Sequence, residues 1–372
     1  MKISHVNAVT STGILKNVSL EIAHGKITQL TPENTPAVKE RWAVPAFVDL
    51  HIHGMGGFGP EQNTPESLLK LSDVLARQGV AAFCPTLYGA RPEVMAAQLR
   101  ILLPAVGKET GAQIMGFHLE GPFISPEKPG VMNPQNIAPA NLDDFKKIYD
   151  AAQGRIAVVT LAPEVPHIRP VIDFCLKHKI IVQAGHTNAT YAQMQQAFDW
   201  GVRRVTHLGN AMRGFHQREP GAFGAALFNP NISCEVIADG KHIHPALLTF
   251  LKQVKPISQI TAVTDALLPT GQAAGPFLAN GEAVSLQDGV WKRVQDGVTA
   301  GSALTMLGGF KQLLEAGYSW PEAALCTSTN AANFMQFSGG VLQEGSPADI
   351  VILTKQLDIK QIFLRGQEIS PN

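Results

Sequence analysis

Short apolar runs that alternate with longer amphipathic stretches are the feature that most constrains this fold. Segments such as "TPESLLKLSDVLARQG" and "TYAQMQQAFDWG" have helical periodicity and end in Gly, as helices often do. Strands that alternate with helices pair in parallel, and eight repeats close a (β/α)8 barrel. Between about residues 45 and 330 the sequence has eight strand-like runs, "VPAFVDLHIH", "VAAFCPTL", "QIMGFHLE", "RIAVVTLAPE", "IIVQAGHT", "RRVTHLGN", "SCEVIADG" and "QITAVTDA".

The two ends of the chain have a different pattern of apolar and polar residues. Residues 1 to about 44 alternate apolar and polar positions around the turn "HGK", which is typical of a β-hairpin. The same alternation returns in "EAVSLQDGVWKRVQDGV" and "PADIVILTKQLDIKQIFLRGQEI". We therefore predict an α/β protein with a TIM-like (β/α)8 barrel over 45–330. Residues 1–44 and 331–372, with part of 280–298, are predicted to form a small β-sandwich domain.

The charge balance limits the class of partner. Lys plus Arg and Asp plus Glu both number 30 in 372 residues, so the formal net charge is zero. A neutral chain offers no general electrostatic attraction to nucleic acid or to an anionic membrane. A small molecule or a second copy of the chain is the expected partner.

Cysteine spacing and hydropathy predict the compartment. The four cysteines lie far apart without a CxxC pair, which indicates reduced thiols rather than a disulfide framework or a zinc knuckle. The N-terminus does not resemble a secretory signal, and no apolar stretch approaches the roughly 20 residues that span a bilayer. We expect a soluble, cytoplasmic protein.

Polar residues concentrate at the predicted carboxyl ends of the strands, where the active site of a (β/α)8 barrel lies. Two of the runs end in "CPT" and "LAPE", and the second of these offers Glu164. The other six of the eight runs end in residues that bind metal ions or move protons, namely His51 and His53, Glu120, His186, His207, Asp239 followed by His242, and Asp265.

Five of these residues predict a metal site. His51 and His53 alternate along one strand, so their side chains lie on the same face and could hold one cation. This pair is weak evidence alone, but Glu120, His186 and His207 converge on the same barrel mouth. Two imidazoles and one carboxylate form a recognised catalytic zinc set, and iron, manganese or cobalt would also fit.

Asp265 ends the eighth run as a single acid in an apolar stretch, "ITAVTDALLPTG". It could cap the helix that follows. As a functional group it would be the general base that takes a proton from the attacking water and returns it to the leaving group.

The motifs, in order, resemble the N-acetylglucosamine-6-phosphate deacetylases of the amidohydrolase superfamily. They are "VPAFVDLHIHG", "HLEGPF", "TLAPE", "AGHTNAT", "THLGNAM", "REPG", "IADGKHIH", "VTDALLPTG", "GSALTM" and "GSPADIVIL", and they cover essentially the whole chain. The resemblance implies one metal ion on Glu120, His186 and His207, with Asp265 as catalytic acid and base. It also allows a second ion on His51 and His53, because some family members keep this pair.

Substrate contacts are implied by the same resemblance. The phosphate-binding residues would be Arg218 and His242, and the family expectation is a homodimer in which this Arg reaches the neighbouring subunit. A guanidinium and an imidazole suit phosphate oxygens. The residues expected to line the sugar pocket are Val131, Met132, Asn210, Ala211, Thr299, Ala300 and Gly301.

Met132 departs from the family pattern. The family has Gly-x-His-Asn-Pro after "EGP", and its His helps to polarise the substrate carbonyl, whereas this chain reads "PGVMNP". Methionine cannot donate that hydrogen bond. Either the metal polarises the carbonyl alone, with or without a second ion, or His216 or His118 substitutes, or the substrate is N-acetylgalactosamine 6-phosphate.

Two other functions are compatible with parts of the pattern. A related metal-dependent amidohydrolase acting on N-acyl amino acids or cyclic amides would not need both Arg218 and His242. A non-catalytic barrel scaffold would be expected to have lost metal ligands, and this sequence keeps every main ligand and the acid.

Overall fold

A computed structural model describes residues 1–35, 40–273 and 275–371. In these ranges the strands are β1 (Lys2–Thr10), β2 (Gly13–Ala23), β3 (Lys26–Pro32), β4 (Arg41–Pro45), β5 (Phe47–Ile52), β6 (Val80–Tyr88), β7 (Gln113–Ile114), β8 (Phe117–Glu120), β9 (Ile156–Leu161), β10 (Ile181–Ala184), β11 (Arg204–Val205), β12 (Ser233–Ile237), β13 (Ile260–Val263), β14 (Phe277–Ala279), β15 (Glu282–Gln287), β16 (Val290–Arg293), β17 (Thr299–Ser302), β18 (Ile350–Thr354), β19 (Ile359–Leu364) and β20 (Gln367–Ile369).

The helices follow most barrel strands. They are α1 (Pro65–Ala76), α2 (Pro92–Leu102), α3 (Leu142–Ala151), α4 (Arg169–Lys177), α5 (Tyr191–Asp199), α6 (Gly221–Phe228), α7 (Pro245–Val254), α8 (Met306–Glu315), α9 (Trp320–Ala324) and α10 (Asn330–Met335). In the described ranges, none of these helices has the length and apolar character needed to cross a membrane.

Eight parallel strands form the barrel in the order β5, β6, β8, β9, β10, β11, β12 and β13, with β7 paired alongside β6. Each predicted run contains one of these strands, so the predicted barrel is confirmed. The strands are buried on both faces, because one face packs on the helices and the other fills the barrel.

Side-chain and backbone hydrogen bonds join the first barrel strand to the last. The buried Asp49 carboxylate accepts from the backbone N–H and hydroxyl of Thr264, at 3.2 and 2.6 Å. The Asp265 N–H donates to the His51 carbonyl at 2.8 Å. This seam brings the His-x-His segment and Asp265 to the same point of the barrel mouth.

The two ends of the chain build one seven-stranded sheet, in the order β20-β19-β18-β4-β1-β2-β3. The antiparallel pairing of β4 with β18 joins the N- and C-terminal segments as predicted. The predicted "HGK" turn joins β2 to β3, and His24 and Gly25 both have positive φ there. The strands enclose an apolar core that includes Leu20, Ile27 and Phe363.

Two segments differ from the predicted domain assignment. The strands within 280–298, β15 and β16, pair with β14 and β17 in a separate four-stranded sheet and, in the described ranges, not with the terminal strands. Two backbone hydrogen bonds attach this sheet to the barrel mouth. The Ser302 N–H donates to the Asp265 carbonyl at 2.9 Å, and the Leu267 N–H donates to the Ser302 carbonyl at 3.3 Å. Helix α10 packs its Ala331 and Ala332 against inward-facing barrel residues rather than the terminal sheet. The remaining domain boundaries stay a prediction.

Candidate active site

A pocket of about 220 Å³ opens at the carboxyl ends of the barrel strands. It is lined by most of the predicted site residues, together with three that were not predicted, Tyr88, Gly130 and Val298. Within the described part of the chain, His51 and Arg218 are the predicted site residues outside this lining. The predicted residues that line it are His53, Glu120, Val131, Met132, His186, His207, Asn210, Ala211, His242, Asp265, Thr299, Ala300 and Gly301.

Glu120, His186 and His207 form a compact group at the floor of the pocket. The two histidine Nε2 atoms each lie 3.0 Å from Glu120 Oε1, and 3.2 Å from one another. A tetrahedral Zn²⁺ with bonds of about 2.0–2.1 Å separates its ligand atoms by about 3.3 Å. The three atoms therefore have nearly the spacing of one face of such a coordination shell.

The tautomer of His186 supports a cation at this point. Its Nδ1 lies 3.0 Å from the Lys128 carbonyl, which can only accept, so Nδ1 carries a proton. In a neutral ring, Nε2 then presents a lone pair to the Glu120 carboxylate. Two acceptors 3.0 Å apart repel unless a positive charge lies between them. The donor set thus fits a bound metal ion.

A second group shares Glu120. His53 Nε2 lies 3.3 Å from Glu120 Oε2, and His51 Nε2 lies 3.4 Å from Oε1. Asp265 Oδ1 is 3.5 Å from His51 Nε2 and 3.4 Å from His53 Nε2. Both imidazoles face the same carboxylates, as the His-x-His alternation predicts. These atoms lie close enough together to hold an ion beside the first group.

Carboxylates and imidazoles are strongly coupled at the floor of the pocket. Burial acts to raise the pKa of Glu120, but His51 and His186 hold it well below its ordinary value. The pKa of Asp265 is lowered in the same way, by His51 and His53 against the effect of burial. Burial acts to lower the pKa of His51, but Asp265 and Glu120 raise it to about 10, so these buried carboxylates call for positive charge between them. A divalent cation would supply that charge in place of imidazole protons.

The backbone is strained at three of the site residues. His186, His207 and Asp265 each follow a barrel strand with positive φ, at 46°, 24° and 50°. Such a conformation costs a non-glycine residue on the order of 1 kcal/mol or more and persists where its surroundings enforce it. The turn at each strand end aims the side chain into the pocket.

His242 also lines the pocket, and it follows β12, the barrel strand between those that lead to His207 and Asp265. Its Nδ1 lies 2.6 Å from Asp239 Oδ2, and its backbone N–H donates to Asp239 Oδ1 at 2.7 Å. The carboxylate therefore fixes the ring and leaves Nε2 for a ligand. Asp239, which was predicted only as a strand-end acid, orients its neighbour.

Arg218 lies in an exposed loop between β11 and α6. A short β-bridge between His216 and Glu219 shapes the loop, and His216 Nδ1 accepts from the Arg218 N–H at 3.3 Å. Among the residues that the structure describes, neither His216 nor Arg218 contributes to the pocket lining.

Among the described residues, neither His118 nor His216, the two histidines considered as substitutes for the family His, lines the pocket beside Met132. His118 is fully buried, and its two ring nitrogens contact the Thr86 and Thr160 hydroxyls at 3.1 and 2.8 Å. His216 lies in the exposed loop. Met132 itself is buried, and its sulfur packs closely over Gly89.

Tyr88 is the one aromatic side chain among the three lining residues that the sequence did not predict. Its ring stacks on the His53 imidazole, with centroids 3.8 Å apart and an angle of 5° between the planes. Burial, with the nearby carboxylates, raises its pKa well above the usual value, so the hydroxyl stays protonated. The predicted second run stops at Leu87, whereas β6 ends one residue later, at Tyr88. A run extended by one residue would have placed Tyr88 among the strand-end candidates.

Comparisons with known proteins agree with this geometry. The amidohydrolase family model matches residues 42–369. The chain is 34% identical to N-acetylglucosamine-6-phosphate deacetylase of Bacillus subtilis, over 98% of this chain and 96% of the relative. It is 32% identical to N-acetylgalactosamine-6-phosphate deacetylase of Escherichia coli O157:H7, over 96% of each chain.

Solved structures show the same architecture. A mutant of N-acetyl-D-glucosamine-6-phosphate deacetylase from Mycobacterium smegmatis, in complex with N-acetyl-D-glucosamine-6-phosphate, superposes with a TM-score of 0.93. The two chains are 28% identical over 99% of this chain and 98% of that one. This protein therefore belongs to the amidohydrolase family, a family of metal-dependent hydrolases, and within it to the N-acetylglucosamine-6-phosphate deacetylases.

Proposed function

We propose that this protein hydrolyses the acetamide of an N-acetylhexosamine 6-phosphate to acetate and the amino sugar 6-phosphate. The observation that carries the proposal is the placement of Asp265 beside two metal-capable groups that share Glu120. The pocket beside them is lined by the residues expected to bind the sugar phosphate, apart from Arg218.

The metal-binding roles follow the two groups. Glu120, His186 and His207 would hold one ion, and His51 and His53 would hold a second one with Glu120. Two nitrogens and one carboxylate favour Zn²⁺, with Fe, Mn or Co as alternatives. A bound divalent cation polarises the amide carbonyl and lowers the pKa of the attacking water.

Asp265 is the proton carrier in this proposal. Its carboxylate accepts a proton from the attacking water and later donates it to the departing amine, because an unprotonated amine leaves poorly. The positive φ at Asp265 and the hydrogen bonds of its backbone to His51 and Ser302 hold the carboxylate over the metal-binding groups. Closure of the barrel thus positions the catalytic acid and base.

The sugar phosphate would extend from the metal-binding groups across the pocket. We assign the phosphate to His242 and Arg218, and the sugar to Asn210, Ala211 and the backbone of Thr299, Ala300 and Gly301. Val131 and Met132 would face the acetamide side, where Met132 offers no donor. Tyr88 lines the same pocket, and its protonated hydroxyl is available to the substrate.

We propose a homodimer in which Arg218 completes the pocket of the neighbouring subunit. Phe215 and Phe228 support this proposal because they are 54% and 57% exposed and pack edge to face in the same region as Arg218. Exposed aromatic rings of this size are common at protein interfaces. The protein would act in the cytoplasm, where its four buried free thiols stay reduced.

Subunit mixing tests the role of Arg218. Arg218→Ala and Asp265→Asn should each give an inactive or weakly active protein. If Arg218 acts across the interface, mixed dimers contain one intact site, and random exchange should restore about a quarter of the original activity. An Arg218→Ala loss of about 10–100-fold in kcat/KM is expected for a charge-assisted phosphate contact. No recovery on mixing would place Arg218 in its own pocket or outside catalysis.

A substrate panel tests the proposed reaction. We expect acetate release from the 6-phosphates of N-acetylglucosamine and N-acetylgalactosamine, and a loss of at least about 10²-fold without the phosphate, since the contacts proposed for Arg218 and His242 are then not made. The ratio between the two epimers identifies the preferred sugar. Equal activity with and without phosphate would contradict the assignment and favour another amidohydrolase substrate.

A further inference from the structure

A buried ion pair lies inside the barrel beneath the second metal-capable group. Arg204 and Glu235 are 1% and 0% exposed, and Arg204 Nη2 lies 3.1 Å from Glu235 Oε1. Arg204 Nε also donates to Gln183 Oε1 at 2.8 Å, and its guanidinium packs 4.0 Å from the Phe334 ring centroid. Burying two charges is costly, and the proposed reaction assigns no role to either.

The hydrogen bonds around Glu235 have a defined direction. Arg204 can only donate, so Glu235 Oε1 accepts from it. The other oxygen, Oε2, accepts from the Thr206 hydroxyl at 2.9 Å. Since that hydroxyl has one proton and donates it to Glu235, its oxygen presents a lone pair elsewhere. That oxygen lies 3.2 Å from His51 Nδ1, which must therefore carry a proton.

The direction of these hydrogen bonds decides which nitrogen of His51 can bind a metal ion. With its proton on Nδ1, a neutral His51 has its lone pair on Nε2, which faces Glu120 and Asp265 at 3.4 and 3.5 Å. In the part of the chain that the structure describes, this buried Nε2 has no hydrogen-bond partner. A lone pair directed at two carboxylates fits coordination of a cation.

We propose that Arg204, Glu235 and Thr206 are positioning residues that fix His51 as the Nδ1-protonated tautomer and so set the affinity of the second metal ion. This inference rests on the proposed two-ion site. Partners that fix the tautomer of a ligating histidine commonly contribute about 10–100-fold in metal affinity. The buried ion pair serves to keep Glu235 an acceptor for Thr206.

Glu235→Gln tests the direction of these hydrogen bonds with almost no change in the shape of the side chain. Arg204 can only donate, so the new amide oxygen must face it and the amide NH₂ must face Thr206. The Thr206 hydroxyl then accepts from the amide and donates to His51 Nδ1, which moves the ring proton to Nε2. We expect the Kd of the second ion to rise by about 10–100-fold, with the first ion unchanged.

Two variants of Thr206 separate this role from packing. Its methyl group packs over Gly185, where a Cβ atom would lie only 1.9 Å away. Thr206→Ser keeps the hydroxyl and loses the methyl group, whereas Thr206→Val keeps the shape and loses the hydroxyl. The proposal predicts near-normal binding of the second ion in the Ser variant and weaker binding in the Val variant. If Thr206 acted only by packing, the Ser variant would bind the second ion more weakly than the Val variant, and its Tm would also be the lower of the two.

The measurement starts from protein purified with Zn²⁺. Each variant is dialysed against increasing concentrations of a zinc chelator, and Zn²⁺ per chain is measured by mass spectrometry, with circular dichroism to check the fold. Two ions of unchanged affinity in folded Glu235→Gln would overturn the inference, and so would a single ion in the unaltered protein. Such results leave the proposed deacetylation standing if acetate is released, whereas two ions without acetate release would overturn only the proposed function.

Discussion

Replacing Asp265 with Asn is expected to lower kcat by a factor on the order of 10⁴ while the ion on Glu120, His186 and His207 stays bound. The effect lies at the upper end for general acid–base catalysis because, in the proposed reaction, the same carboxylate serves twice, first as base and then as acid. An amide can do neither. Turnover of both N-acetylhexosamine 6-phosphates and the metal content per chain are the quantities to measure.

The substitution should leave the fold intact for two reasons. Asn tolerates positive φ about as well as Asp, and Asp265 has a φ of 50°. The hydrogen bonds that hold this turn, to the His51 carbonyl and from the Ser302 N–H, belong to the backbone. A loss of activity therefore reports the missing carboxylate rather than a displaced strand end.

Glu164→Gln is the matched control for Asp265→Asn. Glu164 also follows a barrel strand, but it accepts hydrogen bonds from the Thr187 hydroxyl and the Asn188 N–H. In the described ranges it is outside the pocket lining. We expect turnover close to that of the unaltered protein. An Asp265→Asn variant within about tenfold of normal activity would rule out Asp265 as the general acid and base.

The barrel and the floor of its pocket could be predicted from sequence because topology brings strand ends together at any separation. Glu120 and His207 are 87 residues apart, yet parallel pairing places them in contact at 3.0 Å. Hydrophobic runs identify each strand, and the barrel rule states which end carries the chemistry. Both steps use local patterns only, so no long-range contact had to be known.

Other features depend on tertiary contacts that local patterns do not encode. Alternation in 280–298 indicates strands, but it does not say whether their partners are the terminal strands or one another. The exposed position of Arg218 depends on the path of a loop. Glu235 was visible as an acid within the apolar run "SCEVIADG", but its role emerges only when Arg204 and Thr206 meet it inside the barrel.

Replacing Glu120 with Gln is expected to remove metal from both groups and to lower kcat/KM by about 10³-fold or more. Glu120 Oε1 contacts the Nε2 atoms of His186 and His207, while Oε2 faces His53. A neutral amide keeps this shape but removes the charge that a divalent ion needs. Loss of the cation removes several kcal/mol of transition-state stabilisation, and 4 kcal/mol corresponds to about 10³ in rate.

His53→Asn is the matched comparison, because His53 belongs to one group and Glu120 belongs to both. The Asn variant should keep the ion on His186 and His207 and lose the other. Chelator offers a readout independent of turnover: a bound ion stabilises the folded state, so chelator should lower the Tm of the unaltered protein and of His53→Asn. The Tm of Glu120→Gln should not respond to chelator, since this variant lacks the carboxylate that both groups share. A full complement of metal in that variant would exclude Glu120 as the shared ligand.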